Sequence, residues 1–111
     1  MNKREAILIL RNHNIDLRNE YCVFSNINRR RTDVWWVNIR LNETRVVILL
    51  YDNRIKRLYY FIIPDFTIIA NNFRTKDERA NLAISNQEDN LFTDIYTGFS
   101  LQKYLVRSFD V

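Results

Sequence analysis

Three consecutive arginines, Arg29, Arg30 and Arg31, stand just ahead of a tryptophan pair in the stretch NRRRTDVWW. Guanidinium groups hold phosphates by charge and forked hydrogen bonds, and an indole stacks on an unpaired base. The segment therefore carries two components of a nucleic-acid surface. Trp36 is the indole available for it, and Arg40 falls on the same side of an extended chain. Lys56 and Arg57 add to the patch if their loop folds that way. A plainer reading stands beside this one, because connections between strands are commonly charged to remain hydrated.

Other chemistries are argued against by counting. His13 is the sole histidine and Cys22 the sole cysteine, so a Cys- or His-rich metal centre cannot be assembled, and a Cys–His nucleophile is disfavoured because nothing in the sequence orients the base. A lone thiol also excludes an internal disulfide, which favours a reducing compartment. Phosphate-cradling and dinucleotide-binding loops need several glycines for close backbone approach. Gly98 is the only one. No cofactor and no metal is expected.

The 111 residues carry a formal net charge of +4, and its distribution is uneven. From Met1 to Pro64 twelve basic residues face six acids, whereas from Asp65 onward five meet seven. A polyanion is thus expected to meet the first half. The N-terminal run from Ala6 to Leu10 is interrupted by Arg11 and lacks a signal-peptide cleavage pattern. No apolar run approaches the roughly 20 residues a spanning helix requires, so a cytoplasmic protein without a membrane partner is expected.

The elements that must position these residues follow from periodicity. Asn2-Lys3-Arg4-Glu5 has the form of a capping box and predicts a helix from about Lys3 to Asn12, with a strand as the alternative because Leu8 and Ile9 blur the helical period. Tyr21 to Ile27 is rich in β-formers. In VWWVNIRL, Trp35, Val37, Ile39 and Leu41 share one face, which leaves Val34, Trp36, Asn38 and Arg40 on the other. VVILLY, Val46 to Tyr51, is apolar on both faces and marks a central strand. DNRIKR separates it from LYYFII, Leu58 to Ile63, predicting an antiparallel hairpin that Pro64 ends.

Residues 75–85 are open between helix, from a Thr75–Glu78 capping pattern, and strand; an edge strand from Asn81 to Ser85 is the favoured reading. Ser100 is placed to cap a final helix with Leu101, Tyr104 and Leu105 at helical spacing. The expected fold is one α+β domain over residues 1–111: an antiparallel-rich sheet of four to five strands with N- and C-terminal helices.

TRVVILLYDNRIKRLYYFIIPD, Thr44 to Asp65, resembles the later strands of restriction-endonuclease-like nuclease domains, where a buried strand, a charged turn and an aromatic strand end on an apolar-Pro step. The resemblance implies an Asp followed by Glu-x-Lys that gathers a divalent cation. Glu-x-Lys itself is missing: the nearest match is Asp33 with Glu43-Thr44-Arg45, in which arginine replaces lysine.

Three functions are therefore expected in this order. First comes a non-catalytic binding domain whose partner is DNA or RNA, with Arg29, Arg30, Arg31, Trp36, Arg40, Lys56 and Arg57 as its surface. A protein-interaction or homodimerisation module follows, because both faces of RLYYFII need cover. A degenerate nuclease-like domain is third.

Overall fold

The computed structural model describes residues 1–28 and 33–111. Its elements are α1 (Lys3–Asn12), β1 (Tyr21–Asn26), β2 (Val34–Arg40), β3 (Val46–Asp52), β4 (Arg57–Ile63), α2 (Phe66–Ile69), β5 (Arg74–Lys76), β6 (Arg79–Ser85) and β7 (Leu105–Asp110). The capping box forms as the residues dictate. Asn2 accepts from the Glu5 backbone N–H at 2.9 Å, and the Glu5 carboxylate accepts from that of Asn2 at 3.3 Å. Beyond the helix, Asn14 takes a left-handed φ of 67°, a conformation asparagine tolerates better than most residues.

Four strands form one sheet in the order β1-β3-β4-β7, and three form another in the order β2-β6-β5. β1 runs parallel to β3, while every other named strand pair is antiparallel. β3 is buried along its whole length because it has a layer on each side. Val46, Ile48 and Leu50 pack with Trp35, Val37 and Ile39 of the three-stranded sheet. Val47, Leu49 and Tyr51 pack instead with Ala6 and Leu10 of α1. The layers are thus helix, mixed sheet and antiparallel sheet.

The arrangement is α+β as expected, and the differences lie in its sheets. There are two sheets rather than one of four to five strands, because β2 leaves the lane beside β1 and pairs with β6. Residues 74–85 form a hairpin, so the favoured strand reading of Asn81–Ser85 holds, with β6 beginning at Arg79: Asp77 and Glu78 at φ 54° and 63° make a two-residue turn whose backbone twist suits paired strands. β6 lies in the middle of its sheet, between β2 and β5, not at an edge.

The expected C-terminal helix is also corrected. Gln102–Tyr104 make a single 3-10 turn, after which Leu105–Asp110 extend as β7. The open edge of β4 explains this, since pairing there satisfies a row of backbone groups and lets Phe109 enter the α1-side core.

Both faces of the LYYFII strand are covered within the chain. Phe61 and Ile63 enter one core, Leu58 and Tyr60 the other. The burial that motivated a homodimer is therefore already supplied. Phe92 is the hub of the first core, with its ring 4.9 Å from Tyr59, 5.0 Å from Phe61 and 6.1 Å from Trp35. Its φ of 64° is costly for a bulky residue, by about 1–3 kcal/mol, and ring burial offsets that cost. Phe92→Ala is expected to lose about 3–5 kcal/mol in urea unfolding. A loss below about 1 kcal/mol would show that the ring is not a packing hub.

Candidate nucleic-acid interface

β2 sets the site. Trp35, Val37 and Ile39 are buried inward, so Trp36, Asn38 and Arg40 emerge on the outer face. Directly opposed residues of paired strands share a face. Ala83, Asn81 and Arg79 of β6 therefore stand beside Trp36, Asn38 and Arg40 respectively. The next lane places Arg74 beside Asn81 and Lys76 beside Arg79. Above Arg74 that lane continues in Thr93–Ile95, through an antiparallel bridge between Ile84 and Asp94 and a 2.9 Å bond from the Ile95 N–H to the Ala83 carbonyl.

The outer face is consequently ordered in rows about 7 Å apart. One row is apolar: Trp36, Ala83 and Ile95. The second is Asn38, Asn81 and Arg74; the third is Arg40, Arg79 and Lys76. Trp36 is 42% exposed. Tyr96, 57% exposed, lies under Arg74, whose guanidinium carbon is 3.7 Å from the ring centroid. Asp94 fixes that tyrosine. Its carboxylate is fully buried and accepts from the backbone N–H groups of Tyr96 and Thr97, at 2.8 and 3.2 Å.

The electrostatics of the face are one-sided. Arg40, Arg74, Lys76 and Arg79 all lie on β2, β5 and β6, and none of these strands contains an acid. Arg40 is partly neutralised by Glu43 at 3.2 Å and stacks on Tyr21, 4.7 Å from its centroid. Arg74, Lys76 and Arg79 make no salt bridge among the described residues. Beyond the cationic row an open cleft of about 410 Å³ is lined by Arg40, Asn42, Asp77, Glu78 and Arg79. Its two acids put negative charge at that end and bound the favourable region.

Of the residues expected from sequence, Trp36 and Arg40 meet on this face. Arg29, Arg30 and Arg31 lie outside the described residues. Lys56 and Arg57 do not join it, since they belong to the β3–β4 hairpin of the other sheet. Arg57 is drawn to the outer strand there, 2.8 Å from Asp110. Arg74, Lys76, Arg79 and Tyr96 were absent from the sequence expectation, masked by a second half with more acids than bases. A local signal did exist: Arg74-x-Lys76 and Arg79-x-Asn81 each place polar groups at strand period around a turn.

The Asp33 and Glu43 pair does not form a cation site. The two residues flank opposite ends of β2, roughly 20 Å of strand apart, and each is occupied by an arginine. Among the described residues no group of three metal-ligating side chains exists. Cys22 is buried on β1, and burial pushes its thiol up to about 11, so it stays protonated and unreactive. His13 caps the exposed end of α1, with its ring against Phe109 at 4.7 Å.

What Asp33 does instead is join a latch. Arg54 lies 3.2 Å from both Asp33 and Asp52, and it also meets Asn86. Asn86 donates in turn to Asp52 at 3.0 Å. These interactions tie the hairpin turn to the start of β2 and the end of β6. Comparison with known proteins adds no identity: no family model, no curated protein and no solved structure matches the chain.

Asp52 is 2% exposed. Burial alone would raise its carboxyl, but hydrogen bonds from the Arg54 side chain and backbone and from Asn86 outweigh that, and the pKa is lowered. A carboxyl lowered on folding stabilises the protein above its unfolded pKa of ~3.9, and that stability is lost as pH falls through the folded value. Asp52→Ala is expected to cost about 2–3 kcal/mol at neutral pH, less than a fully buried pair because Arg54 is 35% exposed. Asp52→Asn should flatten the acid limb of stability against pH. An unchanged acid limb would exclude this carboxylate as its source.

Proposed function

We propose that the protein binds nucleic acid through the outer face of the β2-β6-β5 sheet. The single observation that supports this reading is a sheet face carrying four cations and no acid on its three strands, with Trp36 and Tyr96 exposed among them. Solvated faces usually intersperse both signs, and a one-sign surface is disfavoured by self-repulsion unless a counter-charge is bound. A phosphodiester backbone supplies regularly spaced negative charge, and Arg74, Lys76 and Arg79 meet it without first breaking an ion pair.

The test is fluorescence anisotropy of a labelled oligonucleotide across a salt series. Replacing Lys76 and Arg79 by alanine is expected to weaken binding and reduce the slope of log K against log salt by about 0.7–0.9 for each phosphate no longer neutralised. Arg4→Ala, on α1 behind the mixed sheet, should leave that slope in place. Native protein that binds nothing at about 50 mM salt, or a double variant indistinguishable from it, would overturn the reading.

A further inference from the structure

We infer that the strand taken by this face is unpaired, and that Asn38 and Asn81 read its base edges while Trp36 stacks on a base. The inference rests on the nucleic-acid reading above and goes further, to the form of the ligand and the side chains that discriminate it.

Three features carry it. The first is shape. The face is three lanes wide, about 10 Å between outer strands; Trp36 stands on a strand of the sheet, and Tyr96 lies in the turn beside it, held under Arg74. A duplex hides its base faces in the stack, so it offers Trp36 nothing to stack on, whereas a single strand splays bases onto such platforms.

The second is the amide pair. Asn38 and Asn81 are directly opposed across β2 and β6, with side chains about 5 Å apart at Cβ. Neither side-chain amide forms a hydrogen bond among the described residues, although shorter polar side chains nearby, such as Ser85, are bonded within the chain. Two adjacent amides present donors and acceptors together on an open surface. An asparagine amide matches adenine through two hydrogen bonds, to N6 and N7.

The third is order. The amide row lies between the indole row and the cationic row, so a strand with its backbone along Arg79 and Lys76 directs bases across the asparagines towards Trp36. The Arg74–Tyr96 stack closes the lane at the far side of the amide row. Backbone binding, edge reading and stacking then occur in sequence on one surface.

The experiment uses the full chain with three labelled probes of about 12 nucleotides, a length within the range a small binding face covers. These are an oligothymidylate, the same strand with two adenines at its centre, and that strand annealed to its complement. The adenine-containing strand is expected to bind about tenfold tighter than oligothymidylate and tighter still than the duplex. Asn38→Ala with Asn81→Ala should remove the adenine preference without changing the salt slope. Trp36→Ala should weaken both single strands and leave the duplex unaffected. Circular dichroism of each variant confirms that the fold is retained.

Equal binding of duplex and single strand would overturn the inference while leaving the nucleic-acid reading intact. So would an adenine preference that survives loss of both asparagines. Failure of all three probes to bind the native chain would instead remove the reading beneath it.

Discussion

One buried hydrogen bond ties the two sheets together and holds β2 in register over β3. Trp35 is fully buried, and its indole N–H donates to the backbone carbonyl of Tyr51 at 3.0 Å. That same carbonyl accepts from the Ile27 N–H at 3.1 Å, using both lone pairs. The bond spans the two sheets and pins β2 above the end of β3. Because side chains alternate along a strand, moving β2 by one residue would bury Trp36, Asn38 and Arg40 and expel Trp35, Val37 and Ile39. A well-packed aromatic cluster and a satisfied indole oppose that slip.

Everything on the outer face inherits this register. β6 pairs with β2 residue for residue, and its own inner set of Ala80, Leu82 and Ile84 is buried in the same core. The partners of Trp36, Asn38 and Arg40 are thereby fixed as outer residues. Asp77 and Glu78 then fold β5 back, so Arg74 and Lys76 are delivered to the face by the turn. Asp94 holds the segment that brings Tyr96 beneath Arg74. A polar surface that needs orientation is thus placed on rigid elements whose positions are set from the apolar side.

Much of this was legible in the residues because local rules and tertiary packing agreed. The Asn2–Glu5 capping box, the alternation of β2, the doubly apolar β3 and its hairpin with β4 were all readable and all form. What could not be read was non-local. A parallel β1–β3 pair and a second sheet follow from which edges are free after the chain turns, and no sequence period encodes that. Leu101, Tyr104 and Leu105 had helical spacing, yet the edge of β4 took the final segment as a strand. Most of the cationic face was missed for a related reason: charge summed over the second half of the chain hid three bases that register gathers on one surface. Lys56 and Arg57 stand instead on the β3–β4 hairpin of the other sheet.

The two tryptophans allow the central claim to be measured directly, since one indole is buried in a hydrogen bond and its neighbour is exposed. In a ¹⁵N-labelled sample each gives its own indole N–H signal. Titration with a single-stranded oligonucleotide is predicted to shift the Trp36 signal and the amides of β5 and β6, with Trp35 nearly unmoved. Shifts confined to α1, or a Trp36 resonance that never responds while binding saturates, would contradict the assignment of function to this face.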